Sequence, residues 1–122
     1  MTKILLIEDD AIIRLSISSL LKLSGFNVID AKNGKVGLHL AKEQLPDLIL
    51  CDINMPQLDG YEVLEELRND LKTFKLPFIF ISSDICTASC RRALQLGAND
   101  FLTKPVENNE LLEAIAIQIN KR

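Results

Sequence analysis

The 122-residue sequence lacks the features that mark several large classes of protein. It has no tryptophan, one histidine and only three cysteines, too few for the paired cysteine framework of a small secreted domain. No apolar run reaches the roughly 18 residues that a transmembrane helix needs, and the first residues carry neither the basic nor the apolar region of a signal peptide. We therefore expect a cytoplasmic protein with no membrane partner.

Positive charge is also scarce, since 14 Lys and Arg residues face 17 Asp and Glu residues and leave a formal net charge of −3. This balance provides no basic surface for nucleic-acid phosphates, so we expect no direct binding of DNA or RNA. Hydrophobic residues make up 48% of the chain and charged residues 25%, close to the averages for globular proteins. The length fits one domain, and we expect residues 1–122 to form it.

The three cysteines, Cys51, Cys86 and Cys90, form an odd and sparse set that is typical of a reducing compartment. Cys86 and Cys90 are four residues apart and, with His39, offer three ligands to zinc, whereas a structural zinc site normally has four. We therefore favour the interpretation that the cysteines are buried or half-buried small hydrophobic residues.

Short apolar runs alternate with longer amphipathic segments along the chain. The first run, Lys3–Ile7, has no polar alternation, as expected for a strand covered on both faces. The pattern predicts strands at residues 3–7, 27–31, 47–51, 77–82 and 101–103. It predicts helices at residues 11–23, 35–43, 61 to about 70, 88–96 and 109–120, with Val36 and Leu71 among the residues that face the core. Strands that alternate with helices indicate a doubly wound three-layer α/β domain with a five-stranded parallel sheet.

Ligands of such sheets bind at the carboxyl ends of the strands, so the residues at those ends carry the functional information. The polar residues predicted at this edge are Glu8, Asp9, Asp52, Ser82 and Lys104. Three carboxylates at contact distance repel one another, and one lysine does not balance them, so the cluster favours a divalent cation. Mg²⁺ suits it, because this ion takes one or two carboxylates and completes its shell with water and phosphate. The main-chain carbonyl of Asn54 is a further candidate ligand.

A carboxylate beside Mg²⁺ can attack phosphorus in line and become an acyl phosphate. Asp52 is the candidate nucleophile, because it is the lone acidic residue at the end of the most apolar strand. Ser82 can donate a hydrogen bond to the phosphoryl group, and Lys104 can pair with its charge. Each residue alone also has an ordinary interpretation as a turn former, helix cap or exposed loop residue, and it is their coincidence at one edge that favours phosphoryl chemistry.

These residues resemble the receiver domain of two-component response regulators, and the resemblance covers essentially the whole chain. It rests on Glu8-Asp9-Asp10, on Asp52 followed by Asn54-Met55-Pro56 and Asp59-Gly60, on Ser82, and on Lys104-Pro105. It implies a flavodoxin-like (βα)5 fold with strand order 2-1-3-4-5.

The resemblance also implies roles for the site residues. Asp52 matches the phosphoacceptor, while Glu8, Asp9 and the Asn54 carbonyl match the groups that hold Mg²⁺, for which Mn²⁺ is expected to substitute. Ser82 and Lys104 match the groups that stabilise the phosphoryl group, and the Lys104–Pro105 bond is expected to be cis. Phe101 matches the switch aromatic, here without a tyrosine hydroxyl. Asn54 and Asp84 match the positions that tune the lifetime of the acyl phosphate.

The implied function is two-component signal transduction. A histidine kinase or histidine phosphotransfer protein supplies the phosphoryl group and, in relatives, docks on the exposed apolar side of the first helix, near Ile12 and Leu15. The face formed by helix 4, strand 5 and helix 5 then changes shape for a downstream output domain or protein. The resemblance also allows a homodimer that forms on phosphorylation. The chain is then no enzyme beyond its own phosphorylation and dephosphorylation, and the alternative is a receiver-like docking module that works without phosphorylation.

Two other classes share part of the pattern. A haloacid-dehalogenase-type phosphatase also uses aspartate, Ser or Thr, Lys and Mg²⁺, but its nucleophile follows the first strand, and this chain has no room for a cap domain. A flavodoxin-like electron carrier must cradle a phosphate in its first loop, where Glu8-Asp9-Asp10 would repel it.

Overall fold

Strands and helices alternate in the computed structural model, which describes residues 1–84 and 86–121. The strands are β1 (Lys3–Ile7), β2 (Asn27–Ala31), β3 (Leu48–Asp52), β4 (Phe78–Ser82) and β5 (Asp100–Thr103). The helices are α1 (Ala11–Leu23), α2 (Gly34–Gln44), α3 (Gly60–Arg68), α4 (Thr87–Gln95) and α5 (Asn108–Asn120). The strands pair in parallel in the order β2-β1-β3-β4-β5, which confirms the predicted flavodoxin-like fold. Within the described residues, no helix has the length and apolar character needed to span a bilayer.

The sheet is covered on both faces, and this explains why its central strands are apolar without alternation. Successive side chains of a strand point to opposite faces. Leu5, Ile49 and Phe80 therefore lie in one core layer with residues of α2, α3 and α4, whereas Leu6 and Leu50 lie in the other with residues of α1 and α5. Two independent layers hold the carboxyl ends of β1, β3 and β4 in place.

Helix α2 packs on the sheet through small residues. Its buried face consists of Gly34, Gly37 and Ala41, and a Cβ atom at Gly37 would overlap the Ile7 side chain. The prediction that Val36 faces the core is wrong, because this residue lies beside the small-residue face and is exposed.

The ends of most elements lie within one residue of the predicted ones, and helix α3 is the exception. It ends at Arg68, and the chain then turns before β4 begins. Leu71, predicted to face the core, lies in this turn and is 91% exposed. Strand β3 extends one residue further than predicted, so Asp52 is its last residue rather than the first residue of the loop.

The cysteines are only partly as predicted. Cys51 is buried and Cys90 is half-buried, but Cys86 is exposed, because it precedes the first turn of α4 at the surface. Among the described residues, no group of three metal-ligating side chains includes a cysteine or His39. His39 instead pairs with Glu43 at 3.3 Å on the surface of α2.

Candidate functional site

Strand pairing continues past the ends of the strands and fixes the backbone of two predicted site residues. The Glu8 amide donates to the Ala31 carbonyl at 3.1 Å, which extends the pairing of β1 with β2. The Lys104 amide donates to the Ser82 carbonyl at 2.7 Å, which extends the pairing of β4 with β5. The predicted cis bond between Lys104 and Pro105 is present. The backbone of Glu8 and that of Lys104 are therefore both fixed at the same edge of the sheet.

The three carboxylates that the sequence placed at this edge come together. Glu8, Asp9 and Asp52 each offer an oxygen, and these oxygens lie within 4.8 Å of one another. The side chains of Glu8 and Asp52 are 2% and 8% exposed, while Asp9 is open to solvent. Hard oxygen ligands at this spacing, with one side open for water and phosphate, suit Mg²⁺.

Lys104 lies among these acids. Its Nζ atom is 2.6 Å from Glu8 Oε1 and 3.3 Å from Asp52 Oδ1, and its side chain is 15% exposed. Burial raises the pKa of Glu8 and of Asp52, and the hydrogen bonds and charge of Lys104 offset only part of that effect. Burial opposes the charge of Lys104 too, but the hydrogen bond with Glu8 and the charge of Asp52 outweigh it and raise the pKa of the lysine. The lysine therefore stays charged in a site that has excess negative charge.

The two oxygens of Asp52 have different surroundings. Oδ1 accepts a hydrogen bond from the Ile53 amide at 2.9 Å and also faces Lys104. Among the described residues, Oδ2 has no hydrogen-bond partner. The carboxylate is thus oriented through Oδ1, and the two oxygens are not equivalent.

The acidic run after β1 divides between the site and helix α1. Glu8 Oε2 accepts from the Asp10 amide at 3.1 Å, and the Glu8 carbonyl accepts from Arg14 Nη1 at 2.8 Å. The Asp10 carboxylate accepts from the amides of Ile12 and Ile13 at 2.9 and 3.1 Å, and so caps α1. Asp10 is therefore a helix cap, and the two acids before it belong to the cluster.

Ser82 and Asp84 are linked by a hydrogen bond between the backbone of Asp84 and the side chain of Ser82. Ser82 is fully buried, and its Oγ accepts from the Asp84 amide at 3.1 Å. The Asp84 carboxylate accepts from the Cys86 amide at 2.8 Å and from the Ser89 hydroxyl at 2.5 Å. These hydrogen bonds, with that from Ser89 the stronger influence, lower the pKa of Asp84. The carboxylate of Asp84 is therefore bound at the start of α4, although its amide contacts Ser82.

The loop after β3 folds back tightly on the end of the strand. Asn54 is exposed between the buried residues Ile53 and Met55, and the Gly60 amide donates to the Ile53 carbonyl at 2.9 Å. A Cβ atom at Gly60 would overlap the Asp52 carbonyl oxygen and lie 2.9 Å from the Ile53 Cα atom. Glycine is therefore required here for the close approach of backbone to backbone.

Aromatic rings connect β5 to the helices on the same face. Phe101 is half-buried, with its ring centroid 6.5 Å from that of Phe80. Phe80 in turn contacts Tyr61 of α3, edge to face, at 5.4 Å. The Tyr61 hydroxyl donates to the Ser89 carbonyl of α4 at 3.3 Å. The predicted switch aromatic thus lies at one end of a cluster that reaches α4.

The apolar side of α1 is exposed, as predicted. Ile12 and Leu15 lie at the surface, and beside them a groove of about 540 Å³ runs between α1 and the start of α5. Lys104 and Leu111 are among the residues that line it. The groove therefore leads from the surface of α1 to the acidic site.

Sequence reasoning missed several supporting residues. The capping box of α3, in which Asp59 and Glu62 exchange hydrogen bonds, has the detectable pattern Asp-x-x-Glu. The contacts of Arg14 with Glu8 and of Ser89 with Asp84 have no such pattern, because they depend on the path of the intervening loops.

Comparison with known proteins places the whole architecture in one family. A model of the response regulator receiver domain matches residues 4–116. The cell cycle response regulator CtrA of Brucella ovis is 41% identical over 113 residues, which are 93% of this chain and 48% of that protein. The chain thus spans about half the length of the curated relatives that it matches.

Solved structures show the same similarity. A receiver domain protein from Clostridium thermocellum is 30% identical, with a TM-score of 0.93 over 99% of this chain and 96% of the other. The receiver domain of a Pseudomonas aeruginosa sensor histidine kinase is also 30% identical, with a TM-score of 0.91 over 98% of each chain. That domain is described with a magnesium ion coordinated in its active-site cleft.

Proposed function

Because the chain belongs to the response regulator receiver domain family, we propose that it is a phosphorylation switch whose phosphoacceptor is Asp52. Receiver domains act in two-component signalling. The observation that carries the assignment is the arrangement of Asp52 at the end of a central strand, with Oδ1 held by the Ile53 amide and Lys104. Oδ2 is then the nucleophile that attacks phosphorus.

Glu8, Asp9 and Asp52 would hold Mg²⁺, together with the Asn54 main-chain carbonyl. Their clustered oxygens support this assignment, and receiver domains bind the ion in this acidic pocket. When bound, the ion neutralises charge on the transferring phosphoryl group. Mn²⁺ accepts the same kind of oxygen ligands and is proposed as a substitute.

The phosphoryl donor is proposed to be the phosphohistidine of a histidine kinase or a histidine phosphotransfer protein. Asp52 Oδ2 forms a bond to phosphorus while the bond between phosphorus and the histidine nitrogen breaks, and the imidazole leaves with the electron pair. Lys104 pairs with the new charge, and Ser82 Oγ donates to a phosphoryl oxygen. The exposed residues Ile12 and Leu15 mark the face of α1 on which the donor would dock.

The output is proposed to be a change in the face formed by α4, β5 and α5. Phe101 rotates inward as Ser82 moves toward the phosphoryl group, and a downstream output domain or protein, or a second copy of the chain, recognises the altered face. Asn54 and Asp84 flank the site and set the lifetime of the acyl phosphate. The chain then acts as one cytoplasmic receiver unit over residues 1–122, and its chemistry is limited to its own phosphorylation and dephosphorylation.

Acetyl phosphate with Mg²⁺ tests the proposal, with the products analysed by intact mass. We expect a gain of one phosphoryl group in the wild type and none in Asp52→Asn, which keeps the shape of the side chain. Circular dichroism of both proteins checks that the variant is folded. No gain in the wild type would contradict the assignment and leave a docking module that works without phosphorylation. An equal gain in the variant would also contradict it, because the phosphoryl group would then be on a residue other than Asp52.

A further inference from the structure

We propose that Ser89 is a positioning residue that holds the Asp84 carboxylate at the start of α4 and thereby prolongs the lifetime of the phosphoryl group on Asp52. This inference rests on the proposed function of Asp52. It adds Ser89, a residue outside the receiver-domain motif, as the group that decides where the side chain of Asp84 lies.

Both oxygens of Asp84 are bound on the side of α4. One accepts from the Cys86 amide at 2.8 Å, and the other accepts from the Ser89 hydroxyl at 2.5 Å. A hydroxyl that donates to a charged carboxylate makes one of the stronger hydrogen bonds found in proteins. The positive end of the helix dipole adds to this, since Asp84 lies just before the first turn of α4.

Ser89 is itself fixed in place by a residue of the core. Its carbonyl accepts from the Tyr61 hydroxyl at 3.3 Å, and the Tyr61 ring is buried against Phe80. The Tyr61 ring also lies against the Arg92 guanidinium, whose carbon is 4.1 Å from the ring centroid. Ser89 is therefore an anchored donor, and Asp84 can leave it only by breaking the hydrogen bond.

Asp84 is also close enough to the site for its direction to matter. Its amide donates to Ser82 Oγ at 3.1 Å, and Ser82 is the proposed donor to the phosphoryl group. Rotation of the Asp84 side chain away from Ser89 would bring a carboxylate toward the mouth of the site. There it would accept a hydrogen bond from an attacking water and orient that water.

The reaction at issue is the hydrolysis of the acyl phosphate. The water oxygen forms a bond to phosphorus, the bond between phosphorus and Asp52 Oδ2 breaks, and Asp52 keeps the electron pair as a carboxylate. Both water protons end on the released dihydrogen phosphate. An oriented water accelerates this step, so holding Asp84 on Ser89 slows it.

The test is the decay of phosphorylated protein after removal of acetyl phosphate, in the presence of Mg²⁺. Ser89→Ala is expected to shorten the half-life by a factor of about 3 to 10, below the roughly 100-fold or greater effect of a fully placed general base, because the released side chain is not fixed beside the water. Ser89→Thr keeps the hydroxyl and is expected to keep the wild-type half-life. Thr87→Ala, which removes an exposed hydroxyl from the same turn of α4, is the matched control and is expected to change nothing.

The second arm combines Ser89→Ala with Asp84→Asn. We expect the acceleration to disappear, because the released side chain no longer carries a carboxylate. An unchanged half-life in Ser89→Ala, or the same acceleration in the double variant, would overturn the role of Ser89. Absence of phosphoryl uptake by the wild type would overturn the proposed function of Asp52 instead, so the two failures are distinct. Equal thermal midpoints of the variants ensure that decay is compared between folded proteins.

Discussion

Lys104 Nζ lies 2.6 Å from Glu8 Oε1, closer to this buried carboxylate of the β1 end than to the Asp52 carboxylate at 3.3 Å. The lysine follows the edge strand β5 and Glu8 follows β1, and β4 and β3 lie between these two strands in the sheet, so the ion pair joins residues of strands that are not neighbours. The lysine therefore joins the Glu8 and Asp52 carboxylates. Transfer of its charge to a phosphoryl group on Asp52 would release Glu8.

Removal of this lysine is expected to destabilise the protein. Lys104→Met keeps most of the aliphatic stem but leaves two buried carboxylates without their cation, and removing one partner of a buried ion pair costs about 3–5 kcal/mol. We expect the free energy of unfolding at pH 7, measured with urea in EDTA, to fall by that amount. The exposed Lys35→Met is the control, with a change within about 0.5 kcal/mol. Equal effects of both substitutions would contradict the buried ion-pair role.

Neutralising Asp52 is expected to have the opposite effect on the metal-free protein. Burial raises the pKa of Asp52 above its ordinary value of 3.8, so ionisation of this group destabilises the folded state relative to the unfolded one. That destabilisation is absent below pH 3.8 and complete once the pH exceeds the raised value. Asp52→Asn should therefore raise the free energy of unfolding in EDTA at pH 7. The gain should shrink as the pH is lowered toward 4, and a variant less stable than the wild type at pH 7 would show that the sign is wrong.

Mg²⁺ is expected to stabilise the protein through Asp9 but not through its neighbour Asp10. A ligand at ten times its dissociation constant adds about 1.4 kcal/mol to the free energy of unfolding. Asp9→Asn removes one of the clustered oxygens and should weaken Mg²⁺ binding. We expect the variant to need at least about ten times more Mg²⁺ than the wild type for the same rise in thermal midpoint. Asp10→Asn makes the same change in charge, and asparagine still caps α1, so its Mg²⁺ response should match the wild type. Equal losses in the two variants would indicate a general charge effect instead of ligation.

Gly60 is expected to support both stability and phosphorylation. In Gly60→Ala the new Cβ atom meets the Asp52 carbonyl and the Ile53 Cα atom, which are backbone atoms that cannot move aside cheaply. We expect a loss of about 1–3 kcal/mol, together with slower phosphorylation by acetyl phosphate. Gly25→Ala is the matched control, because its positive φ of 94° strains an alanine far from the site, where a Cβ atom meets nothing within 4 Å. It should lower stability alone, and a phosphorylation rate in Gly60→Ala equal to that of the control would contradict the link to Asp52.

The sequence predicted those features that depend on local pattern. Apolar runs located the five strands, and the strand-end rule brought Glu8, Asp52 and Lys104 to one edge. The strand order was an expectation from the family resemblance, because apolar runs do not say which strands are neighbours. Val36 and Leu71 were placed wrongly, since two glycines set the buried face of α2 and a turn replaces the last part of α3.

Contacts that depend on loop paths were beyond sequence reasoning. Nothing in the spacing indicates that the Asp84 carboxylate turns toward Ser89 rather than toward Asp52. The direction of the Asp84 carboxylate depends on the position of α4, and the buried Tyr61 helps to fix that position through its hydrogen bond to Ser89.

If Asp52 is the phosphoacceptor, as proposed, its unequal oxygens also govern how a donor must arrive. In water the two oxygens of a carboxylate are interchangeable, whereas the Ile53 amide and Lys104 make Oδ1 and Oδ2 chemically distinct in this protein. An in-line attack by Oδ2 defines a single trajectory for the phosphorus atom and its leaving group. A small acyl phosphate such as acetyl phosphate and a protein carrying phosphohistidine would therefore have to enter along the same line, and selectivity between donors would then come from the surface around that line.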